Sequence, residues 1–199
     1  MTRGVLIVLE GIDGSGKTTL SKNLAAAIAA TGREVVLTRE PTDGPYGRQI
    51  RAIAAQGRDG VTAEEELALF MADRKEHVAQ VVLPALERGA VVVQDRSYFS
   101  TVAYQGERGL DRAELLAMGE QVAPRPDVLL VVDLPAEDAV ARIHAARDHG
   151  QDDFEQVDAL ARIRQVFLGF AGAQVVDARG TPAETLAQAL ALVRPALGE

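Results

Sequence analysis

The sequence of 199 residues contains no cysteine. This absence excludes disulfide bonds, thiol catalysis and thiolate metal sites. No apolar stretch approaches the length of a membrane-spanning helix, and the N-terminus shows no signal-peptide pattern. We therefore expect a cytoplasmic protein without a membrane partner.

Positive charge is also scarce, because 21 Lys and Arg stand against 29 Asp and Glu, for a formal net charge of −8. This balance disfavours a nucleic-acid polymer or an anionic membrane as the main partner. A mononucleotide is still possible, since a few local arginines can bind it. The three histidines, at 77, 144 and 149, lack the spacing of metal ligands, and we expect them to be structural or exposed.

The length fits one domain, residues 1–199, and the apolar fraction of 47% is ordinary for a globular protein. Short apolar runs alternate with helical patterns along the chain. Strands are predicted at 5–9, 34–38, 91–95, 128–134 and 174–177. Helices are predicted at 19–30, 50–56, 64–87, 97–105, 111–122, 135–147, 154–170 and from 182 onward, with a loop at 42–47. This alternation predicts an α/β fold with a parallel sheet covered on both faces.

A glycine-rich loop lies between the first strand and the first helix. The pattern Gly11-x-x-x-x-Gly16-Lys17-Thr18 is that of a phosphate-binding loop, and it has the strand and helix that the motif requires. Backbone N–H groups of such a loop converge on a triphosphate, the lysine contacts the β and γ phosphates, and the threonine hydroxyl binds Mg²⁺. The residues predicted to bind ATP here are Gly11, Ile12, Asp13, Gly14, Ser15, Gly16, Lys17, Thr18 and Thr19.

An acid and an arginine follow the apolar strand at 91–93. Asp95 has the usual position of the acid that assists Mg²⁺ beside a phosphate loop. The alternative is that its carboxylate caps the helix that follows. Arg96 could bind an acceptor phosphate through both arms of its guanidinium group.

Phe70 and Arg74 are one helical turn apart and could hold a nucleobase between a ring and a guanidinium group. Spacing alone favours the other reading, in which Phe70 is a core residue beside Leu67 and Leu69.

Taken together, these motifs resemble the thymidylate kinase family over nearly the whole chain. The matching segments are Leu9 to Thr19, Thr38-Arg39-Glu40-Pro41, Leu69 to Arg74, Asp95-Arg96, Ser100 to Gly106, Pro126-Asp127, Asp133-Leu134-Pro135 and Asp152-x-Phe154-Glu155. The resemblance implies a P-loop NTPase fold with a five-stranded parallel sheet and a mobile lid, here about 142–155. It also implies transfer of the γ-phosphoryl group of ATP to dTMP in dTTP biosynthesis, with Mg²⁺, by a homodimer.

The resemblance further implies a role for each matching residue. Phe70 would stack on thymine, Arg74 would reach the base, and Arg96 would bind the acceptor phosphate. Asp13 would approach the sugar 3′-hydroxyl and the acceptor phosphate. The expected dTMP-binding set is Asp13, Glu40, Pro41, Phe70, Arg74, Arg96, Ser100, Tyr104 and Gln105. Pro41 matches a position that is often preceded by a cis peptide bond.

Catalysis in this family needs one more arginine, in the phosphate loop or in the lid. The loop here has Gly14-Ser15 and no arginine, so we expect the lid to supply it, through Arg147 or else Arg142 on the ATP side. The expected catalytic set is Lys17, Arg96, Asp13, Asp95 and Arg147, with Thr18 and Asp95 at the metal.

The chain departs from the family pattern after Pro41, after Arg96 and in the lid, so two alternatives stay open. One is a kinase of the same fold that acts on dUMP or a 5-modified dUMP. The other is a nucleotide-dependent switch protein, although the chain lacks the Asn-Lys-x-Asp sequence of GTPases.

Overall fold

The structure is a computed structural model that describes residues 3–58, 60–146 and 153–199. Within these ranges the chain forms five strands and nine α-helices. The strands are β1 (Leu6–Glu10), β2 (Val35–Arg39), β3 (Val91–Asp95), β4 (Val128–Asp133) and β5 (Ala173–Asp177). The helices are α1 (Lys17–Ala29), α2 (Pro45–Gln56), α3 (Ala63–His77), α4 (Leu83–Glu87), α5 (Tyr98–Glu107), α6 (Arg112–Val122), α7 (Ala136–Ala146), α8 (Asp153–Leu168) and α9 (Pro182–Leu197).

The strands form one parallel sheet in the order β2-β3-β1-β4-β5, which confirms the predicted fold class. Strand β1 lies at the centre between β3 and β4; the chain passes from β1 to β2 and β3 on one side and then crosses to β4 and β5 on the other. Ligands of open α/β sheets bind outside the carboxyl ends of the strands at such a reversal of strand order. The glycine-rich loop follows β1 at this point.

Burial follows the position of each strand in the sheet. Every residue of β1 and β3 is buried, whereas the edge strands β2 and β5 leave Leu37 45% and Val175 48% exposed. Helices α1 and α9 pack on one face of the sheet, and α4 and α8 lie on the other with α5 packed against α8. Central strands buried on both faces explain the unbroken apolar runs of the sequence.

Most helix boundaries lie within two residues of their predicted positions, which is the usual spread at frayed ends. The capping boxes of Thr62 with Glu65 and of Thr181 with Glu184 are both formed. The prediction of a loop through Gly47 was wrong, because α2 already begins at Pro45. Proline at the first helical position loses no helical hydrogen bond and has a suitable φ.

The long helix predicted to reach Glu87 is interrupted by a π-helical segment at Val78–Val82, between α3 and α4. Pro84 lacks a backbone N–H, and its ring crowds the carbonyl four residues earlier, at Gln80 within that segment. No helix among the described residues has the length and apolar character needed to cross a bilayer.

Candidate active site

The glycine-rich loop passes directly from β1 into the N-terminus of α1. Gly14 has a φ of 81°, and a Cβ there would lie 2.4 Å from the carbonyl oxygen of Ala139, so no side chain fits. Gly16, with a φ of 94°, is the N-cap of α1. The loop therefore directs free N–H groups and the positive end of the helix dipole to one point, as an anion site requires.

Lys17 is 5% exposed, and its ammonium group donates to the carbonyl oxygen of Ile12 at 2.7 Å. Burial, followed by the charge of Arg96, lowers the pKa of Lys17 to about 7. A bound polyphosphate would supply opposite charge and favour the protonated lysine. The hydroxyl oxygen of Ser15 is buried and has no hydrogen-bond partner among the described residues.

Thr18 and Asp95 meet where the loop faces the end of β3. The Thr18 hydroxyl donates to Oδ2 of Asp95 at 2.6 Å, while Oδ1 is buried without a hydrogen-bond partner in the described part of the chain. An unpaired carboxylate oxygen beside a hydroxyl fits Mg²⁺, which prefers oxygen ligands. No cluster of three or more His, Cys, Asp or Glu among the described residues could hold a metal ion.

The alternative in which Asp95 caps the next helix was wrong, because Glu10 performs that role. Its Oε1 accepts from the backbone N–H of Ser97 at 2.7 Å and of Ser100 at 3.2 Å, and its Oε2 accepts from the Ser100 hydroxyl at 2.6 Å. Burial raises the pKa of Glu10 to about 7, although Arg96 and these hydrogen bonds oppose the shift. Glu10 thus joins the end of β1 to the start of α5.

Arg96 connects the loop to α5. Its guanidinium group donates to Oδ1 of Asp13 at 2.5 Å, to the Ser100 hydroxyl at 2.8 Å and to the carbonyl oxygen of Gly11 at 3.3 Å. Its Cζ lies 5.2 Å from the centre of the Tyr104 ring. The φ of Arg96 is 69°, in the left-handed region that a residue other than glycine seldom adopts, and such strain is common at functional sites.

A cavity of about 190 Å³ opens beside Arg96. All nine residues expected to bind dTMP line it, from Asp13 and Glu40 to Gln105. Phe70 lies at this cavity and does not belong to the hydrophobic core cluster, so the core reading was wrong. The bond between Glu40 and Pro41 is cis, as the resemblance predicted.

A buried hydrogen-bond chain supports this cavity from behind. Arg74, 1% exposed, donates to Oε2 of Glu40 at 2.9 Å and to the Thr101 hydroxyl at 2.9 Å. His77 lies 2.9 Å from Oε1 of Glu40 and 2.7 Å from the Thr38 hydroxyl. Burial alone would raise the pKa of Glu40, but Arg74 and His77 hold it below its ordinary value. The carboxylate therefore stays ionised and fixes Arg74.

A second cavity, of about 380 Å³, lies on the other side of the phosphate loop. It is lined by Gly14, Ser15, Gly16, Thr19, Leu20, Asn23, Arg142, Ala178, Gly180, Pro182 and Thr185. Arg142 donates to the carbonyl oxygen of Ala178 at 2.8 Å, which places its guanidinium group at this cavity. Arg147, the other predicted lid arginine, lies outside the described residues.

Two cavities that meet at a phosphate loop define a nucleotide kinase of the P-loop class. The sequence profile of the thymidylate kinase family matches residues 9–188. A thymidylate kinase of Xanthomonas euvesicatoria pv. vesicatoria (strain 85-10) is 48% identical over 198 residues, or 98% of this chain and 86% of that protein. The chain therefore belongs to the thymidylate kinase family.

Two further comparisons agree. A thymidylate kinase of Xylella fastidiosa (strain 9a5c) is 42% identical over 195 residues, which cover 97% of this chain and 92% of that protein. The crystal structure of thymidylate kinase from Ehrlichia chaffeensis superposes with a TM-score of 0.77 at 25% identity, covering 96% of this chain and 99% of that one.

Several residues at the site were not predicted from sequence. They are Glu10, Arg51, Arg58, His77, Ser97 and Thr101, and all but Glu10 and His77 line the cavity beside Arg96 (the acceptor cavity). A signal existed for Glu10, because an acid in an otherwise apolar strand next to a phosphate loop needs buried partners. Arg51 and Arg58 show no such signal, since their place at the cavity depends on how α2 packs on α3.

Proposed function

We propose that this protein transfers the γ-phosphoryl group of ATP to dTMP, giving dTDP and ADP. One observation carries the proposal: the nine residues expected to hold dTMP line one cavity, and Arg96 ties that cavity to the loop carbonyl of Gly11. An acceptor phosphate at Arg96 would then lie next to a donor phosphate at Lys17. A single-nucleotide binder has no use for a second cavity in this place.

Within this proposal, ATP occupies the cavity that contains Arg142, and its phosphates lie in the glycine-rich loop. Lys17 and Arg96 would give up their contacts with Ile12 and Asp13 to bind phosphate oxygens. The acceptor phosphate oxygen forms a bond to the γ phosphorus as the bond from that phosphorus to the ADP oxygen breaks. Lys17 and Arg96 lower the repulsion between the donor and acceptor phosphates and hold them in line for transfer. This positioning and charge neutralisation is the main catalytic effect in phosphoryl transfer.

We also propose that Thr18 and Asp95 hold Mg²⁺ with the phosphates. The ion would neutralise charge on the β and γ phosphates when bound. The unpaired Oδ1 of Asp95, next to the Thr18 hydroxyl, supports this assignment.

We propose that Arg142 contacts ATP from its observed position and that Arg147 reaches the transferring phosphoryl group. Replacement of Arg147 by alanine should lower turnover more than it weakens acceptor binding. If Arg142→Ala shows this effect and Arg147→Ala does not, the two roles are exchanged.

The test of the proposed function is a coupled assay of ADP release with ATP and a panel of monophosphates: dTMP, dUMP, 5-modified dUMP, dCMP and dGMP. The proposal predicts that dTMP has the highest kcat/KM. A clear preference for another base would overturn the assignment of dTMP, and ADP release that no monophosphate stimulates would overturn the kinase assignment.

We further propose that residues 1–199 act as one domain and that the protein is a cytoplasmic homodimer with nucleotides as its ligands, as the family resemblance implies. Leu83, 42% exposed on α4, offers apolar surface next to the long helical path of α3. Light scattering coupled to size-exclusion chromatography measures the oligomeric state directly, and cell fractionation measures the location.

A further inference from the structure

The amide of Gln105 is held by a carboxylate at one end and left unpaired at the other. Its Nε2 donates to Oε2 of Glu66 at 2.9 Å, whereas its Oε1 is buried and has no hydrogen-bond partner within the described ranges. Gln105 is 2% exposed and lines the acceptor cavity. A buried amide oxygen without a partner costs free energy unless a ligand satisfies it.

Glu66 itself is fully buried at 0% exposure and does not line the cavity. Besides Gln105, it accepts from Nε of Arg58 at 3.0 Å and from Nη1 of Arg108. Burial alone would raise the pKa of Glu66, but the hydrogen bonds from Gln105 and Arg58 hold it below its ordinary value. An ionised carboxylate can only accept hydrogen bonds, so it must face the NH₂ end of the Gln105 amide.

The orientation of this amide determines which base edge the cavity can bind. The Thr101 hydroxyl accepts from Arg74, so its own proton is free to be donated. The cavity therefore combines donors at Arg74 and Thr101 with an acceptor at Gln105. Thymine and uracil offer the matching pair, an acceptor at O4 and a donor at N3, whereas cytosine offers the reverse.

We propose that Glu66, which does not line the cavity, is the positioning residue that sets the base preference, because it fixes the direction of the Gln105 amide. This inference rests on the proposed function, since it specifies how the same cavity distinguishes thymine from cytosine.

Two substitutions of Glu66 separate this role from a general structural one. In Glu66→Leu the acceptor is lost, and Arg108 and Arg58 would attract the Gln105 oxygen and turn the amide around. In Glu66→Gln the new amide can keep its oxygen toward Arg108 and Gln105 and turn its NH₂ group toward Arg58. Arg58 is half exposed, so it can move away into water. Glu64→Gln is the matched control, since Glu64 lies two residues before Glu66 on the same helix and is exposed to solvent.

The measurement is the ratio of kcat/KM for dTMP to kcat/KM for dCMP, with circular dichroism to confirm folding. We expect the ratio to fall about tenfold or more in Glu66→Leu, the effect of one misplaced buried hydrogen-bonding group. The ratio should stay within about threefold of wild type in Glu66→Gln and Glu64→Gln, which is less than the effect of one misplaced hydrogen-bonding group. Gln105→Leu should lower the ratio similarly, and adding Glu66→Leu to it should change nothing more.

An equal loss for both nucleotides in Glu66→Leu, with the ratio unchanged, would overturn the inference, and so would a further fall of the ratio in the double variant. If Glu66→Leu does not fold, Glu66→Ala removes the same acceptor and leaves room for water beside the arginines. A wild-type protein that fails to prefer dTMP over dCMP would instead contradict the proposed function, so the two failures are distinguishable.

Discussion

At the scale of single residues, Arg96 has the most consequences for the site. Its guanidinium group contacts the phosphate loop, Asp13 and α5, and its backbone has a left-handed φ. The strained backbone directs the side chain back across the end of β1. Because Arg96 lines one cavity and also donates to the phosphate loop at Gly11, it is suited to contact phosphates at both places.

We expect Arg96→Ala to lower kcat about 100-fold or more, because a donor to the developing charge is lost in a site where water cannot replace it. The fold should be retained, since Arg96 is not a member of the buried hydrophobic cluster. Steady-state kinetics with dTMP and ATP, together with circular dichroism, measure both effects. The control is Arg125→Ala, whose side chain is 75% exposed and pairs with Glu120 at the surface. Turnover of Arg96→Ala near that of wild type would refute the role.

Asp95→Asn should raise the Mg²⁺ concentration needed for half-maximal activity. The amide keeps the size of the side chain but removes the negative charge and one acceptor beside Thr18. A magnesium titration of the initial rate at saturating nucleotides provides the measurement. An unchanged half-maximal concentration would show that Asp95 does not assist the ion.

At this scale, the place of a site residue could be predicted from sequence when the residue lies just after a strand of the parallel sheet. Lys17, Thr18, Asp95 and Arg96 all follow directly from strands whose carboxyl ends share one edge of the sheet. Prediction failed for Glu10, whose partners at Ser97 and Ser100 are 87 and 90 residues away in the chain. Such pairing depends on strand order, which the local pattern does not encode.

At the scale of elements, α3 supplies both the wall of the acceptor cavity and its support. Phe70 and Arg74 line the cavity, Arg74 also binds Glu40, and His77 holds Glu40 from the next turn. Because Arg74 and His77 both bind Glu40, we expect a change at His77 to affect Arg74 one turn earlier in the helix.

We therefore expect His77→Leu to lower the free energy of unfolding by about 1–3 kcal/mol, because the buried Glu40 loses a hydrogen-bond partner. The KM for dTMP should rise, since Arg74 is then less firmly oriented, while the KM for ATP should not change. Urea unfolding and initial-rate kinetics measure the two effects. A rise in both KM values by the same factor would show general loosening and not a specific link.

The burial of Glu10 between β1 and α5 predicts a pH dependence of stability. The folded-state pKa is raised to about 7 from 4.5, so the folded protein holds a proton that the unfolded chain releases between these values. The stability contributed by Glu10 is full below about pH 4.5 and is lost as the pH rises through 7, by about 1.4 kcal/mol for each pKa unit at most.

The measurement is the free energy of unfolding from pH 4.5 to 8 in the absence of nucleotide. Glu10→Gln should lose this component of the pH dependence, whereas the exposed control Glu64→Gln should keep it. Lys17, whose pKa is lowered to about 7, acts with the opposite sign above that pH. An identical pH dependence in wild type and Glu10→Gln would contradict the assignment.

The element pattern was predictable because central strands buried on both faces give apolar runs, and because Thr62 and Thr181 give capping boxes. The π-helical segment before Pro84 could not be predicted, since a proline indicates that a helix is disturbed but not whether it bends, ends or becomes π-helical. The start of α2 at Pro45 was missed because Asp43-Gly44-Pro45 is as typical of a turn as of a helix start.

At the scale of the whole molecule, the cavity beside Arg96 and the cavity that contains Arg142 lie on either side of the phosphate loop at one edge of the sheet. Neither cavity could be outlined from sequence, because each is formed by side chains from elements that lie far apart in the chain. The parallel order of the strands could be predicted, and it places every strand end at the same edge. The central claim is that a donor and an acceptor nucleotide meet end to end above that edge.

The most direct test of this claim is calorimetric titration with a bisubstrate compound in which adenosine and thymidine are joined through their 5′ positions by five phosphates. The account predicts one molecule bound per chain, competition with both ATP and dTMP, and loss of affinity in Arg96→Ala. Competition with ATP alone, at an affinity no higher than that of ATP, would contradict it.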